Sequence, residues 1–510
     1  MMEFDLLTNE EKVETENGAL GYKTTKSKLL DLSFKVPAMR MDILNNKNVN
    51  LYKDYFEEAY HEDPENALRF LLYLRDARGG LGERDAFRNI LIHMAEKEPD
   101  IVLKFLTGVD VPNYGRWDDV IEIAFGVNSH LININVLKLI KYQLLHDYRF
   151  MNHNESVSLL AKWMPSENSS SKKSQNRARA LAKFLGMSSS EYRKILSALR
   201  KYIDVIERKM SANDWENIDY EKVPSKANIV YKKAFLKHDE ARRNEYLQKV
   251  NSGESKINAK VLAPYEIVRA YNNGHAALDV TLETLWDNLP APSVRKNVLV
   301  VRDGSGSMTC NCFAGNITPM DIGDSIALYM AKFNKGSYKD KFITFSSKPR
   351  IVDLSYDKTL GDKLKKLKRY TECSNTDLEK VFDLVLATVI ENNVPQEEIP
   401  DILIISDMEF DDATGPDYYH RSNEGRNRTL LKTIAKRWKK EGYDLPKLIF
   451  WNVASRSNAI PLRENENGVI LVSGFSSSLA NMVMSNELDP LKALLKILHN
   501  ERYDVVKSIM

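Results

Sequence analysis

Cysteine is nearly absent: there are three in 510 residues. That excludes a disulfide framework as the support of the fold and points to a reducing compartment. Nor is there an uninterrupted apolar stretch near the roughly 20 residues that span a bilayer. The opening Met-Met-Glu-Phe-Asp lacks the basic start and apolar run of a signal peptide. The expectation is a soluble, cytoplasmic protein with no membrane partner. Net charge is small, +2 with His neutral, so no whole-chain field points to nucleic acid. The histidines are scattered without H-x₃-H pairing, and no metalloenzyme centre follows from them.

What is present is ordinary in bulk and uneven in place. Hydrophobic content of 43% and charged content of 28% suit a globular chain of two to four domains. Residues 1–160 hold 19 Lys+Arg against 26 Asp+Glu, whereas residues 161–290 hold 23 against 16. The basic part therefore invites an anionic partner. From about Asp54 onward, apolar residues recur at helical spacing in segments of ten to twenty residues, with Pro99, Pro112, Pro165, Pro224 and Pro264 at the joints. One continuous helix is expected over Ser190–Lys209. After Asn288-Leu-Pro-Ala-Pro-Ser the texture changes to alternating strands and helices. Strands are expected at Asn297–Val301, Lys341–Phe345, Arg350–Leu354, Asp401–Ser406, Leu448–Val453 and Gly468–Val472. The expected organisation is a lead-in at 1–35, an α-helical repeat domain at 36–290, and a doubly wound α/β domain at 291–510.

The chemistry concentrates in Val298-Leu-Val-Val-Arg-Asp-Gly-Ser-Gly-Ser-Met. A strand buried on both faces runs into a tight turn that presents Asp303, Ser305 and Ser307 in a D-x-S-x-S array. One carboxylate and two hydroxyls are hard oxygen ligands that suit Mg²⁺ or another divalent cation. Asp407 ends a second apolar strand, and Thr376 precedes the helical run from Leu378. Ligands at the carboxyl ends of neighbouring parallel strands can meet there. The alternative is a serine-rich turn with a capping Asp. No His, Lys or second carboxylate is placed as an evident general base, so an enzyme is not expected. A metal-dependent nuclease would need a second metal or a placed base. Cys310, Cys312 and Cys373 flank the same loops, but structural zinc usually takes four N/S ligands.

The window Ser171–Lys209 is the basic surface candidate, with Lys172, Lys173, Arg177, Arg179, Lys183, Arg193, Lys194, Arg200 and Lys201. Such a surplus can track a phosphate backbone, and Trp163, Phe184, Tyr192 and Tyr202 could stack bases. A solvated helix face with its aromatics turned to the core is the competing reading.

The set Asp303, Ser305, Ser307, Thr376 and Asp407 resembles the metal-ion-dependent adhesion site (MIDAS) of von Willebrand factor A (vWA) domains. For such a site, Ser305 and Ser307 would bind Mg²⁺ directly. Asp303 and Asp407 would act through water or hold the hydroxyls, and Thr376 would be direct or water-bridged. A position would remain for an acidic side chain of a protein partner. The phrases Arg75-Asp-Ala-Arg-Gly-Gly-Leu-Gly-Glu-Arg and Tyr114-Gly-Arg-Trp-Asp-Asp resemble the TROVE (Telomerase, Ro and Vault) module. Lys162-Trp-Met-Pro-Ser and Val223-Pro-Ser-Lys-Ala resemble a TROVE-like family of unknown function. The resemblance implies HEAT-like helical repeats followed by a vWA-like domain. It also implies a Ro-type scaffold for small noncoding RNA. The alternative is a protein-binding module without nucleic acid. At the helix ends, Arg75, Asp76, Arg78, Arg84, Arg116, Asp118 and Asp119 read more simply as caps and buried ion pairs than as ligands.

Overall fold

In the computed structural model, the described residues are 12–14, 20–22, 27–33, 35–36, 51–260, 262–274, 278–292, 296–309, 317–346, 348–371, 378–406, 433–453, 469–473 and 490–510. They fall into two compact units. One comprises Asp63–Lys256 with Leu498–Met510, the other Met1–Glu62 with Ile257–Ile497. The first unit thus closes at Lys256, and the two helices that follow, within the expected 36–290 segment, group with the sheet. The physical reason lies in the partners of the next two helices. The helix Pro264–Asn272 packs against the helix Pro319–Phe333, and Asn272 donates to Asp321 at 2.8 Å. On the helix Val280–Asp287, Glu283 accepts the N–H groups of Leu360 at 2.8 Å and Gly361 at 3.1 Å. That carboxylate satisfies two donors at the start of the helix Leu360–Lys368, where backbone N–H groups have no partner within the helix.

The helical unit has helices at Pro64–Arg75, Arg84–Lys97, Pro99–Gly108, Trp117–Gly126, His130–Asn152, Lys172–Leu185 and Ser189–Tyr202, with shorter ones between and after. Pro64 and Pro99 open their helices at the position where a missing N–H costs nothing. The single helix expected over 190–209 is broken after Tyr202. Asp204 takes a left-handed backbone (φ 52°), and Lys209 donates to its carboxylate at 2.8 Å.

The two TROVE-like phrases meet inside this unit. Asp119, fully buried, lies 2.7 Å from Arg75 Nη2 and 2.7 Å from Arg88 Nε. It also accepts the N–H of Arg116 at 2.9 Å. Gly115 is required beside it, because a Cβ there would come within 2.7 Å of Arg75 Nε. These charged residues are therefore structural ion pairs and caps.

In the α/β unit, a two-stranded antiparallel hairpin, β1 (Lys12–Glu14) and β2 (Leu20–Tyr22), falls in the segment expected as a lead-in. A six-stranded sheet comes next, with β3 (Val298–Asp303), β4 (Lys341–Phe345), β5 (Ile351–Asp353), β6 (Asp401–Ser406), β7 (Leu448–Asn452) and β8 (Val469–Ser473). The order is β5-β4-β3-β6-β7-β8, parallel except for β5 at one edge. Alternation decides which residue faces which layer. Leu299 and Val301 join a core with Val381, Phe382 and Val385 of the helix Leu378–Glu391 and with Trp438. Arg302, pointing the other way, meets the helix Pro319–Phe333 through Asp324. The expected doubly wound arrangement is what forms. The chain leaves β3 to β4 on one side, and β6 pairs with β3 on the other, so their carboxyl ends mark the switch point where α/β sheets bind ligands.

Removing one partner of a buried ion pair leaves the other charge stranded. Asp119→Ala should therefore cost about 3–5 kcal/mol, read as a lowered urea midpoint of the helical unit. An unchanged midpoint would show that the pair is not a structural anchor.

Candidate metal centre and basic helical surface

Asp303 is the last residue of β3 and is buried. Its Oδ1 accepts the N–H of Ser305 at 2.8 Å, which closes the turn locally. Its Oδ2 accepts the hydroxyl of Ser406 at 2.6 Å, across the switch point from the end of β6. A carboxylate oxygen has two lone pairs, so holding these groups is compatible with accepting from a cation's hydration shell. Ser305 Oγ and Ser307 Oγ lie 3.0 Å apart. Adjacent oxygens of an octahedral Mg²⁺, at 2.0–2.1 Å from the ion, are separated by about 3.0 Å. The hydroxyl spacing and the donor chemistry therefore fit two neighbouring corners of such a site. Met308, fully buried, anchors the short 3₁₀ turn Ser307–Thr309 below. Thr376, Asp407, Cys310, Cys312 and Cys373 lie outside the described residues.

Two features of this centre escaped sequence reasoning. Ser406 reads as the end of an apolar strand, and only the small polar residue just before Asp407 hinted at a role. Arg302 reads as an interruption in a buried run. Its guanidinium is buried, 2.7 Å from Asp324 Oδ1, and also donates to the carbonyl of Tyr370 at 3.0 Å. Burial raises the Asp324 carboxyl above its ordinary value, against the opposing pull of Arg302. One side chain thus ties the strand of the first loop to the helix behind it and to the stretch that leads toward Thr376.

The basic window forms two helices, Lys172–Leu185 and Ser189–Tyr202, and the structure divides its cations. Arg177 is forked onto Glu122, with one N–O distance of 2.9 Å, and its hydrogen bond holds the Glu122 carboxyl below its ordinary value. Arg200 donates to the carbonyls of Ala161 (2.8 Å) and Met164 (2.7 Å) and to Ser166 Oγ (2.8 Å). Those two serve the fold. Lys173 and Arg193 lie 3.8 and 3.9 Å from Glu122 and Glu167 with their side chains largely in solvent. Lys172, Arg179, Lys183, Lys194 and Lys201 are exposed. Tyr192 is turned to the core, donating to Pro165 O at 2.8 Å, whereas Tyr202 is exposed.

Both helices pack on His130–Asn152, which adds a face that sequence reasoning passed over. Tyr142 is 68% exposed there, beside Leu145 and Tyr148, with Lys138 and Arg149 on the same side. The one acid of that helix, Asp147, is buried and accepts the N–H of Ser158 at 3.0 Å and its hydroxyl at 2.6 Å. The signal was in the sequence: a long helix with almost no acid and aromatics off its buried stripe.

Among known proteins, residues 15–139 and 128–288 match the family described as a domain of unknown function (DUF2828), and residues 297–503 match another described as a domain of unknown function (DUF7788). An uncharacterized protein of Acanthamoeba polyphaga mimivirus is similar at 29% identity over 527 residues, which covers 95% of this chain and 86% of the relative. The crystal structure of the Deinococcus radiodurans Ro (RSR) protein is similar over 90% of this chain and 94% of that one, at 13% identity and a TM-score of 0.44.

Arg302→Leu should cost about 3–5 kcal/mol by stranding Asp324. The double change Arg302→Leu with Asp324→Leu should recover most of it, because an apolar pair needs no charge compensation. Denaturation followed through the α/β unit reads both. A double variant no better than the single one would assign Arg302 a role beyond the pair.

Proposed function

We infer that this chain, which belongs to the family described as a domain of unknown function (DUF2828), is a non-catalytic scaffold. Its helical half would bind small noncoding RNA, and its α/β half would bind an acidic protein partner through Mg²⁺. The observation that carries the metal part is the pair of hydroxyls 3.0 Å apart beside a strand-end carboxylate. Ser305 and Ser307 would offer direct oxygens, with Asp303 holding them and accepting from coordinated water. Thr376 and Asp407 complete the proposed set. A bound Mg²⁺ would supply a Lewis-acidic position able to take a carboxylate from the partner.

The RNA part is supported by the exposed cations of the two basic helices and by the exposed tyrosines on the helix beneath them. Cations would meet phosphates while aromatic faces stack bases. The second reading, a protein-binding module without nucleic acid, is favoured by one observation. Arg177 and Arg200, which looked like phosphate ligands, are spent on Glu122 and on backbone carbonyls.

Two measurements test these parts separately. Calorimetric titration with Mg²⁺ should give saturable binding that Asp303→Ala abolishes, and an unaltered isotherm in the variant would remove the metal site. Protein recovered from its native cells should carry a discrete small-RNA population. Binding of that RNA should weaken steeply with salt, and reversing Lys172, Lys173 and Arg179 should lower the log–log slope by about 2. Protein free of RNA, but with a partner released by chelator, would establish the second reading instead.

A further inference from the structure

The helical unit is completed by residues that come last in this sequence. Leu498–Met510 packs with it, and Glu501–Ser508 forms a 3₁₀ helix. Three residues per turn put Tyr503, Val506 and Ile509 on one side, and all three are buried. The Tyr503 ring sits between Tyr73 (edge-on, centroids 6.1 Å apart) and Tyr114 (stacked, 6.1 Å). Its hydroxyl donates to Asp76 at 3.1 Å. Asp76, fully buried, also accepts from Arg502 Nη2 at 2.8 Å. Arg69, buried as well, donates to Asp504 at 2.8 Å and to the carbonyl of Leu498 at 2.9 Å. Tyr114 donates to the carbonyl of Arg502 at 2.6 Å.

The charges are complementary in order, with an acid facing Arg502, an aromatic slot for Tyr503, and a base facing Asp504. Gly80 is part of the floor, since a Cβ there would overlap the carbonyl oxygen of Tyr73. The Asp76 carboxyl, raised by burial but more strongly lowered by Arg502 and the N–H of Arg78, stays below its ordinary value. Without the segment, residues 63–256 would keep a buried carboxylate and a buried guanidinium stripped of these partners.

We propose that Arg69, Tyr73, Asp76 and Tyr114 form a peptide-recognition socket for an Arg-Tyr-Asp triplet followed by apolar residues three and six positions after the tyrosine, and that residues 498–510 are its ligand, recognised in trans once the chain's own copy is released. The Arg75–Arg84 phrase thereby serves as the rim of a peptide site. The helical unit cannot be finished until the whole α/β unit has been synthesised.

The test uses the full chain. Arg502→Ala with Tyr503→Ala removes the chain's own anchors and opens the socket. A fluorescent peptide of the sequence Leu498–Met510 should then bind the variant saturably. It should not bind the unaltered chain, whose tethered copy competes at high effective concentration. A peptide carrying the same two alanines should bind about 30-fold more weakly or less, as expected for the loss of buried anchors. A variant with an unchanged far-ultraviolet spectrum that ignores the peptide would overturn the proposal, as would equal binding by variant and unaltered chain. Arg502→Gln guards against a variant that does not fold. Excess native-sequence peptide should raise its melting temperature and the alanine peptide should not; no difference between the two peptides also overturns the proposal.

Discussion

A charge taken out of water has to be met by another, and this constraint organises both units. In the helical unit Asp119 gathers Arg75 and Arg88. In the α/β unit Arg302 and Asp324 sit together between strand and helix. Such pairs add little net stability over an apolar core of the same shape, but they are costly to break. They therefore select arrangement more than they deepen the energy minimum. Asp324 and the carbonyl of Tyr370 both hold Arg302, and through it the strand that ends in Asp303.

The candidate metal centre depends on this fixing. Two hydroxyls on a short loop hold a cation only if their separation is set before the ion arrives. Here the spacing arises from a local turn closed by Asp303 Oδ1, from Met308 buried beneath it, and from Ser406 reaching across from the next strand. The sheet contributes the juxtaposition, because β3 and β6 are neighbours although about a hundred residues of chain lie between them. The chemistry belongs to the loop and its placement belongs to the sheet.

Much of the fold could be read in advance, for local reasons. A buried parallel strand needs a continuous apolar run, as in Ile402–Ile405, and an amphipathic helix needs its 3.6-residue period. Both are written in neighbouring residues, and the six sheet strands emerged within a residue or two of where they were expected. What local pattern could not supply was pairing. Arg177 and Arg200 read as free cations because Glu122 and the carbonyls of 161 and 164 are remote in sequence. The break at Asp204 was hidden because helical periodicity continues through it.

By itself, then, the sequence determined the class of each half, the D-x-S-x-S loop at the end of a buried strand, and the excess of basic residues in the middle of the chain. Each of these depends on spacing within a few residues. The tertiary structure alone decided which charges remain for a ligand, that Ser406 completes the cradle of Asp303, and that Arg502 returns to Tyr114 across 388 positions. Such contacts are set by which buried groups find partners when the chain closes on itself, and no window of neighbouring residues contains that information.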